Sequence, residues 1–333
     1  MGQTLSEPVT TKETSSCQNS AVKVGVSCMQ GWRINMEDAH CQLLSLPGDK
    51  DAMFFAVFDG HGEDQQTNPK DVKNTRGAKV AQYASSNLHK KIIMQPAYAQ
   101  NRIAEALKGG FLQIDHDMTQ DETMKDELAG TTAISLLIKN KRLYCANVGD
   151  SRAVASVRGR ADVLSHDHKP GNEGETRRII AAGGWVEFNR VNGNLALSRA
   201  LGDFVFKKND KKGPDEQIVT AYPDVQERAL TNDYEFVVLA CDGIWDVLTN
   251  QEVIDFIRAR IAQRMEPEII CEELMTRCLA PDCQMGGLGC DNMTVCLVCF
   301  LHDRPFEDLI RRCSQPSLGG PVPHLSNYNM DLK

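Results

Sequence analysis

The sequence predicts an α+β domain in which antiparallel sheets are covered by segregated helices, and three observations carry that expectation. Short β-branched and apolar runs follow one another with only turn residues between them, as hairpins do. Strands and helices do not alternate in the regular units that a parallel sheet needs. The helical stretches come as two separate pairs. With 333 residues, 41% of them hydrophobic, one large domain or two small ones can bury a sufficient core without help from disulfides or an oligomer.

The leader, residues 1–20, is rich in Ser, Thr, Gln and Glu with few apolar positions, and is expected to be disordered. Strands are expected at 22–29, 39–46 and 53–58, each bounded by Gly, Pro or Asp. Apolar residues at helical spacing over 78–93 and 101–120 predict two antiparallel helices, separated at Gln95-Pro96 because proline cannot continue a helix. The runs 131–139 and 142–148 meet at Asn140-Lys141 in the pattern of a hairpin, and 152–157 continues the meander. Further strands are expected at 219–230, 235–240 and 293–300, and a second helical pair at 251–262 and 268–279. The folded domain is thus expected to span 21–302, with a loose Pro- and Gly-rich tail over 303–333. No internal repeat is visible.

A net charge of −8 and a 25% charged fraction argue against a nucleic-acid binder, which needs a cationic face, and suit a site built from carboxylates. The longest apolar runs, 236–240 and 295–301, are far too short to cross a bilayer, and no apolar signal core follows Met1. The expected location is the cytoplasm, with the nucleus left open, and the expected state a monomer. Twelve cysteines in such a chain are expected to be free thiols, most of them small core residues. Met1-Gly2-Gln3-Thr4-Leu5-Ser6 fits the pattern for N-myristoylation at Gly2. One acyl chain gives reversible membrane contact, and Lys12 is the sole basic residue among the first twenty, so stable anchoring is not implied.

Chemistry concentrates where apolar runs stop. The run 54–58 meets Asp59-Gly60-His61-Gly62, and 237–241 meets Asp242-Gly243. The run 144–148 leads to Gly149-Asp150-Ser151-Arg152, while Asp291-Asn292 immediately precedes the run that starts at Met293. A single Asp-Gly is best read as a turn. Four sheet ends that carry an aspartate, together with Glu37-Asp38, read differently: carboxylates at the mouths of apolar strands lose hydration and repel one another unless cations neutralise them. Ligands that are all oxygen select Mg²⁺ or Mn²⁺ over zinc. The glycines after Asp59 and Asp242 are expected to let backbone approach an ion or its waters.

Seven segments, in order, resemble the motifs of the type 2C metal-dependent protein serine/threonine phosphatases. They are Gly31-Trp32-Arg33-Ile34-Asn35-Met36-Glu37-Asp38, Asp59-Gly60-His61-Gly62, Gly130-Thr131-Thr132-Ala133, Gly149-Asp150-Ser151-Arg152, Ser198-Arg199-Ala200-Leu201-Gly202-Asp203, Asp242-Gly243-Ile244-Trp245-Asp246 and Asp291-Asn292-Met293-Thr294. The likeness runs from about residue 22 to residue 300. It implies an αββα sandwich of two antiparallel β-sheets flanked by pairs of helices, with a two-ion Mg²⁺ or Mn²⁺ centre in a cleft at one edge and phosphorylated proteins as substrates. By the same resemblance Asp59 would bridge both ions, Asp242 and Asp291 would complete one site, Glu37 and the Gly60 carbonyl the other, and Asp38 would act through water. Asp150 and Asp246 would, with Asp242, hold a weaker third ion.

On that reading two ions roughly 4 Å apart lower the pKa of a shared water and aim it at phosphorus, with no covalent intermediate. Arg33 is the expected phosphate clamp, because its planar fork grips two oxygens. His61, an imidazole that titrates near neutrality, is the expected general acid for the departing serine or threonine oxygen. The rival is a catalytically silent family member that binds phosphoproteins as a scaffold; retention of Arg33, His61 and the carboxylates speaks against it. Cleavage of another phosphate ester is a third reading.

Other signals are discounted. Cys271 and Arg277 mimic the spacing of cysteine-dependent phosphatases but lie in an uninterrupted helical pattern whose amides cannot curl around a phosphate. Cys296 and Cys299 fall on opposite faces of a strand and are expected to be core thiols. The lysine-rich run 207–212 reads as a solvated loop within a flap expected over 169–214. The polar segment 63–76 departs from the family pattern as an insertion near the cleft rim.

Overall fold

A computed structural model of the chain describes residues 4–62, 75–124, 127–283 and 287–317. From the N-terminus, β1 (Thr4–Gln18) folds back on β2 (Val22–Arg33), and β3 (Ala39–Leu43) pairs with β4 (Met53–Phe58), which runs through Asp59 into β5 (Gly60–His61). Three helices follow: α1 (Arg76–Ile93), α2 (Pro96–Ala99) and α3 (Ile103–Gln120). A meander of β6 (Gly130–Thr131), β7 (Ala133–Lys139), β8 (Arg142–Val148), β9 (Arg152–Val157) and β10 (Arg160–Val163) leads to α4 (Glu173–Ala181). The hairpin of β11 (Val186–Glu187) and β12 (Arg190–Val191) and the short β13 (Leu201–Gly202) come next, then β14 (Asp224–Ala229) and β15 (Tyr234–Ala240). The remaining elements are the single turn α5 (Asp242–Trp245), α6 (Asn250–Ala262), α7 (Pro267–Cys278), β16 (Met293–Phe300) and α8 (Phe306–Cys313).

Two large antiparallel sheets result, in the orders β1-β2-β16-β15-β9-β10 and β14-β8-β7-β4-β3, beside the small sheets β13-β6-β5 and β11-β12. The central strands β4, β15 and β16 are buried at every position because both faces are covered, and the period of two sorts the side chains. In β4, Phe54, Ala56 and Phe58 face α1 and α3 and pack with Leu88, Ile92, Leu107 and Phe111. Phe55 and Val57 point the other way, into a layer shared with Val24, Val26, Ile134, Val237 and Val298 of both sheets. In β15, Phe236 and Val238 meet Ile254, Ile257 and Leu274 of α6 and α7. The layers are therefore helix pair, sheet, sheet, helix pair, which is the expected αββα sandwich. Cys296 and Cys299 lie on opposite faces of β16, one between the sheets and one under the helices, as their spacing predicts.

Five expectations need correction. The leader is not disordered from Thr4 onward: it is the long edge strand β1, in register with β2 from Lys12↔Met29 to Gln18↔Lys23. Low apolar content argues against a core, but an edge strand needs only one paired neighbour. Thr14 adds side-chain bonds, 2.8 Å to Ser27 and 2.6 Å to Glu272 Oε1. The strand expected at 219–230 begins only at Asp224, since Pro223 has no N–H for a ladder. The strand expected at 39–46 stops at Leu43. The tail is not loose throughout, because α8 buries Leu309, Ile310 and Cys313 against the α6 layer. Finally, Cys283 and Cys290 form a disulfide, brought together where the Ala280 N–H bonds the Gly289 carbonyl at 2.9 Å, while the other ten cysteines are free. Gly2, residues 63–74 of the insertion and the tail beyond 317 lie outside the described residues. No described helix is long and apolar enough to cross a membrane.

Candidate metal centre

The two sheets deliver their carboxylates to a common edge. Asp59 leaves β4 of one sheet, and its carbonyl is tied to the Thr132 N–H at 2.9 Å. On the other sheet Asp242 follows β15, Asp291 precedes β16, and Arg33 ends β2 beside it, with Nη2 2.5 Å from Asp291 Oδ2. Asn292 fastens the third source. Its Nδ2 donates to the carbonyls of Gln30 at 2.8 Å and Asn35 at 2.9 Å, and its Oδ1 accepts from the Glu37 N–H at 3.0 Å. That clasp sets the loop carrying Glu37 and Asp38 against the start of β16, where Thr294 Oγ1 donates to Asp38 Oδ2 at 2.6 Å.

Glycine serves backbone packing here. A Cβ on Gly60 would stand 2.4 Å from the Gly77 carbonyl oxygen and 2.6 Å from that of Glu37, and one on Gly243 would stand 2.2 Å from the Asn292 carbonyl oxygen. Only glycine lets these backbones close on one another.

The result is an acidic cluster that cannot be fully ionised on its own. Burial pushes Asp59 far above the usual carboxylate range, and repulsion from Asp38, Asp242, Asp291 and Asp150 adds to it. Burial does the same to Asp242, with Asp150, Asp291 and Asp246 as the repelling neighbours. Asp38 is raised to about 7, by burial first and by Asp291 and Glu37 after it, against the lowering hydrogen bond from Thr294. Asp246 is raised by burial and by Asp150, with Lys169 opposing. Arg33 on Asp291 and Lys169 on Asp150 are the cations that meet this group, and they leave an acidic excess.

The donor set fits hard divalent cations. Asp38 Oδ1 is buried and has no hydrogen-bond partner among the described residues, the situation of an oxygen shaped for a ligand. Oxygens of Asp38 and Asp59 and the Cys241 sulfur lie within 4.8 Å of one another. Burial and the surrounding aspartates push the Cys241 thiol pKa far up, and its sulfur is already engaged by the Thr294 N–H at 3.2 Å and the Asn292 carbonyl at 3.5 Å, so the carboxylate oxygens are the better donors. Oxygens alone remain, as Mg²⁺ or Mn²⁺ prefers.

His61 reveals a residue to which the sequence reading gave no role. Its Nε2 lies 2.7 Å from Asp203 Oδ2, and Asp203 is buried, its backbone at φ 52° and its N–H bonded to the Ala129 carbonyl. Burial alone would lower the imidazole pKa, but Asp203 outweighs it and the net shift is upward. Both side chains press on Gly130, where a Cβ would stand 2.2 Å from Asp203 Oδ2. The signal was present in the sequence as Gly202-Asp203 and Gly130, yet nothing local tied either to His61.

Of the remaining expectations, Cys271 is buried in α7 with its thiol pushed far up, so it offers no nucleophile. The run 207–212 is not wholly solvated, since Lys207 Nζ is buried on Asp115 at 2.7 and 2.9 Å and ties this run to α3.

Sequence comparison places the same region in a known group: the family model for protein phosphatase 2C matches residues 22–285. The chain belongs to the protein phosphatase 2C family. Among its relatives, a probable protein phosphatase 2C of Caenorhabditis elegans is 60% identical over 318 residues, covering 96% of this chain and 85% of that protein. Protein phosphatase 2C homolog 2 of Schizosaccharomyces pombe is 47% identical over 328 residues, covering 97% and 85%. Among solved structures, a Toxoplasma gondii phosphatase superposes with a TM-score of 0.69 at 27% identity, over 87% of this chain and 96% of that one. A sex-determining protein of C. elegans shares the fold, with a TM-score of 0.70 at 24% identity over 90% and 69% of the two chains. Protein phosphatase 2C enzymes depend on Mg²⁺ or Mn²⁺, which agrees with the oxygen-only donor set described above.

Proposed function

We propose that this protein phosphatase 2C hydrolyses phosphoserine and phosphothreonine in proteins at the cleft where Asp59, Asp242, Asp291, Glu37 and Asp38 converge. The observation that carries the reading is the convergence itself: acidic groups drawn from both sheets, too buried and too close to ionise together without added cations. Two ions would be the natural complement, and Asp59, Asp242, Asp291, Glu37 and the Gly60 carbonyl would hold them. Asp38 would act through a water. When bound, the ions neutralise the cluster and acidify a water, so that no covalent intermediate on the protein is needed.

The chain's own groups do the rest. Arg33 is held at one edge by Asp291, and its side chain is 40% exposed, so the planar fork still faces incoming phosphate. His61, oriented by Asp203, donates a proton to the departing serine or threonine oxygen. Asp150, Asp242 and Asp246 offer a weaker third position. Every group named comes from one chain, so a monomer suffices. Acylation of Gly2 would add reversible membrane contact.

Phosphate release from a phosphothreonine peptide tests the reading. Mn²⁺ should support turnover, and EDTA or Asp59→Asn should abolish it. Turnover indifferent to both changes would overturn the metal-dependent assignment.

A further inference from the structure

Lys169 opens the flap and is unusually well fixed for a lysine at a cleft. Its ammonium pairs with Asp150, which is 6% exposed, while the lysine side chain itself is 32% exposed. The segment that presents it is pinned on both sides. Arg152 forks onto Asp167 with two bonds of 2.9 Å, the His168 N–H donates to the Gly149 carbonyl at 2.9 Å, and the Asn172 N–H donates to the Lys169 carbonyl at 3.0 Å. Asp242 and Asp246 also draw on the same ammonium, which holds its proton more firmly as a result. A lysine at a protein surface usually swings in solvent and pairs weakly. This one stands within the field of three carboxylates, one of which also belongs to the metal centre.

We infer that Lys169 is a tethered cation seated where Asp150, Asp242 and Asp246 would receive a third divalent ion, so that an ion enters there only by displacing the ammonium. The inference rests on the two-ion reading above. Its physics is competition. A tethered charge is always present at its site, whereas an ion must be drawn from solution and dehydrated. At the principal positions Arg33 meets Asp291 alone, 2.5 Å away, and keeps 40% of its side chain exposed. Lys169 thereby weakens the third position.

Calorimetric titration of Mn²⁺ into the full chain tests this, comparing wild type with Lys169→Met, Lys169→Gln and Lys169→Arg. Lys169→Met and Lys169→Gln should each bind the third ion at least about fivefold more tightly, the lower end of ordinary coupling between sites, with the first two events unchanged. Lys169→Arg, which keeps the charge, should leave the third event weak. Adding Asp246→Asn to Lys169→Met should abolish the gain. Unchanged third-ion affinity in both neutral variants, or equal tightening in Lys169→Arg, overturns the inference while the two-ion reading stands. Fewer than two ions on wild type overturns that reading, and this inference with it. Circular dichroism of each variant confirms that the fold is kept.

Discussion

His61 Nε2 sits 2.7 Å from Asp203 Oδ2, a pairing of two residues 142 positions apart that closes over Gly130. It engages one ring nitrogen and leaves Nδ1 for the leaving oxygen. Asp203→Asn should therefore lower kcat by about 10²-fold, within the range ordinary for a general acid, and His61→Gln by as much or more. Because Asp203 raises the imidazole pKa, its loss should also move the alkaline limb of the pH–rate profile to lower pH. A kcat loss with an unshifted limb would mean that Asp203 acts on the fold alone.

Thr294 Oγ1 donates to Asp38 and favours its ionised form against burial. Thr294→Val keeps the shape and removes the bond, and Mn²⁺ affinity should fall by about 10- to 100-fold, as for other groups that orient metal ligands. The sign with pH is fixed by proton competition. Asp38, raised to about 7, must lose its proton to serve a cation, so binding should weaken as pH falls through 7 and the variant should show the weakening at higher pH. Calorimetry at pH 6 and pH 8 measures both effects.

Glu175 ties α4 to the segment 198–199, accepting from Arg178 Nη1 at 2.7 Å, Arg199 Nη2 at 2.7 Å and Ser198 Oγ at 2.6 Å. Burial would raise its pKa, but the arginines and Ser198 win and bring it from 4.5 down to about 2. A depressed carboxylate pKa contributes stability that is complete above the unfolded value and is lost as pH falls toward the folded one. The contribution, on the order of 3 kcal/mol, should fade between pH 4.5 and pH 2, and Glu175→Gln should lose it at neutral pH. Denaturant unfolding of the two proteins across that range should show their stabilities converging at low pH. A constant gap would contradict the assignment.

Arg258 and Glu235 form a buried pair, Nε to Oε2 at 2.9 Å, and Arg258 Nη2 also donates to the carbonyls of Arg312 at 3.1 Å and Gln315 at 3.3 Å. Arg258→Ala strands the carboxylate and should cost about 3–5 kcal/mol in urea unfolding. It should also free the end of α8, read as faster proteolysis after Arg311 and Arg312. A cost below about 1 kcal/mol would show the pair to be replaceable.

Much of the architecture was legible from residue order. The runs 53–58, 236–240 and 295–300 are apolar because two covers share them, and the period of two puts Phe54 and Phe55 on opposite faces. Aspartates at the ends of those strands were legible too, since a strand that ends at a sheet edge leaves its next residue at that edge. Composition misled in β1, where Thr and Ser stand in for core residues along an edge, and in α8, whose three buried side chains are too few to register beside Pro and Gly.

Periodicity and strand-end chemistry are local properties, and the chain wrote them plainly: two buried sheets, helix pairs over them, carboxylates where the strands stop. Which distant groups meet is another matter. His61 with Asp203, Lys169 with Asp150, Cys283 with Cys290 and Asn292 with the Glu37 loop depend on which strands become neighbours and on how loops close above them. Those contacts join segments whose separation along the chain carries no pattern, so packing alone selects them.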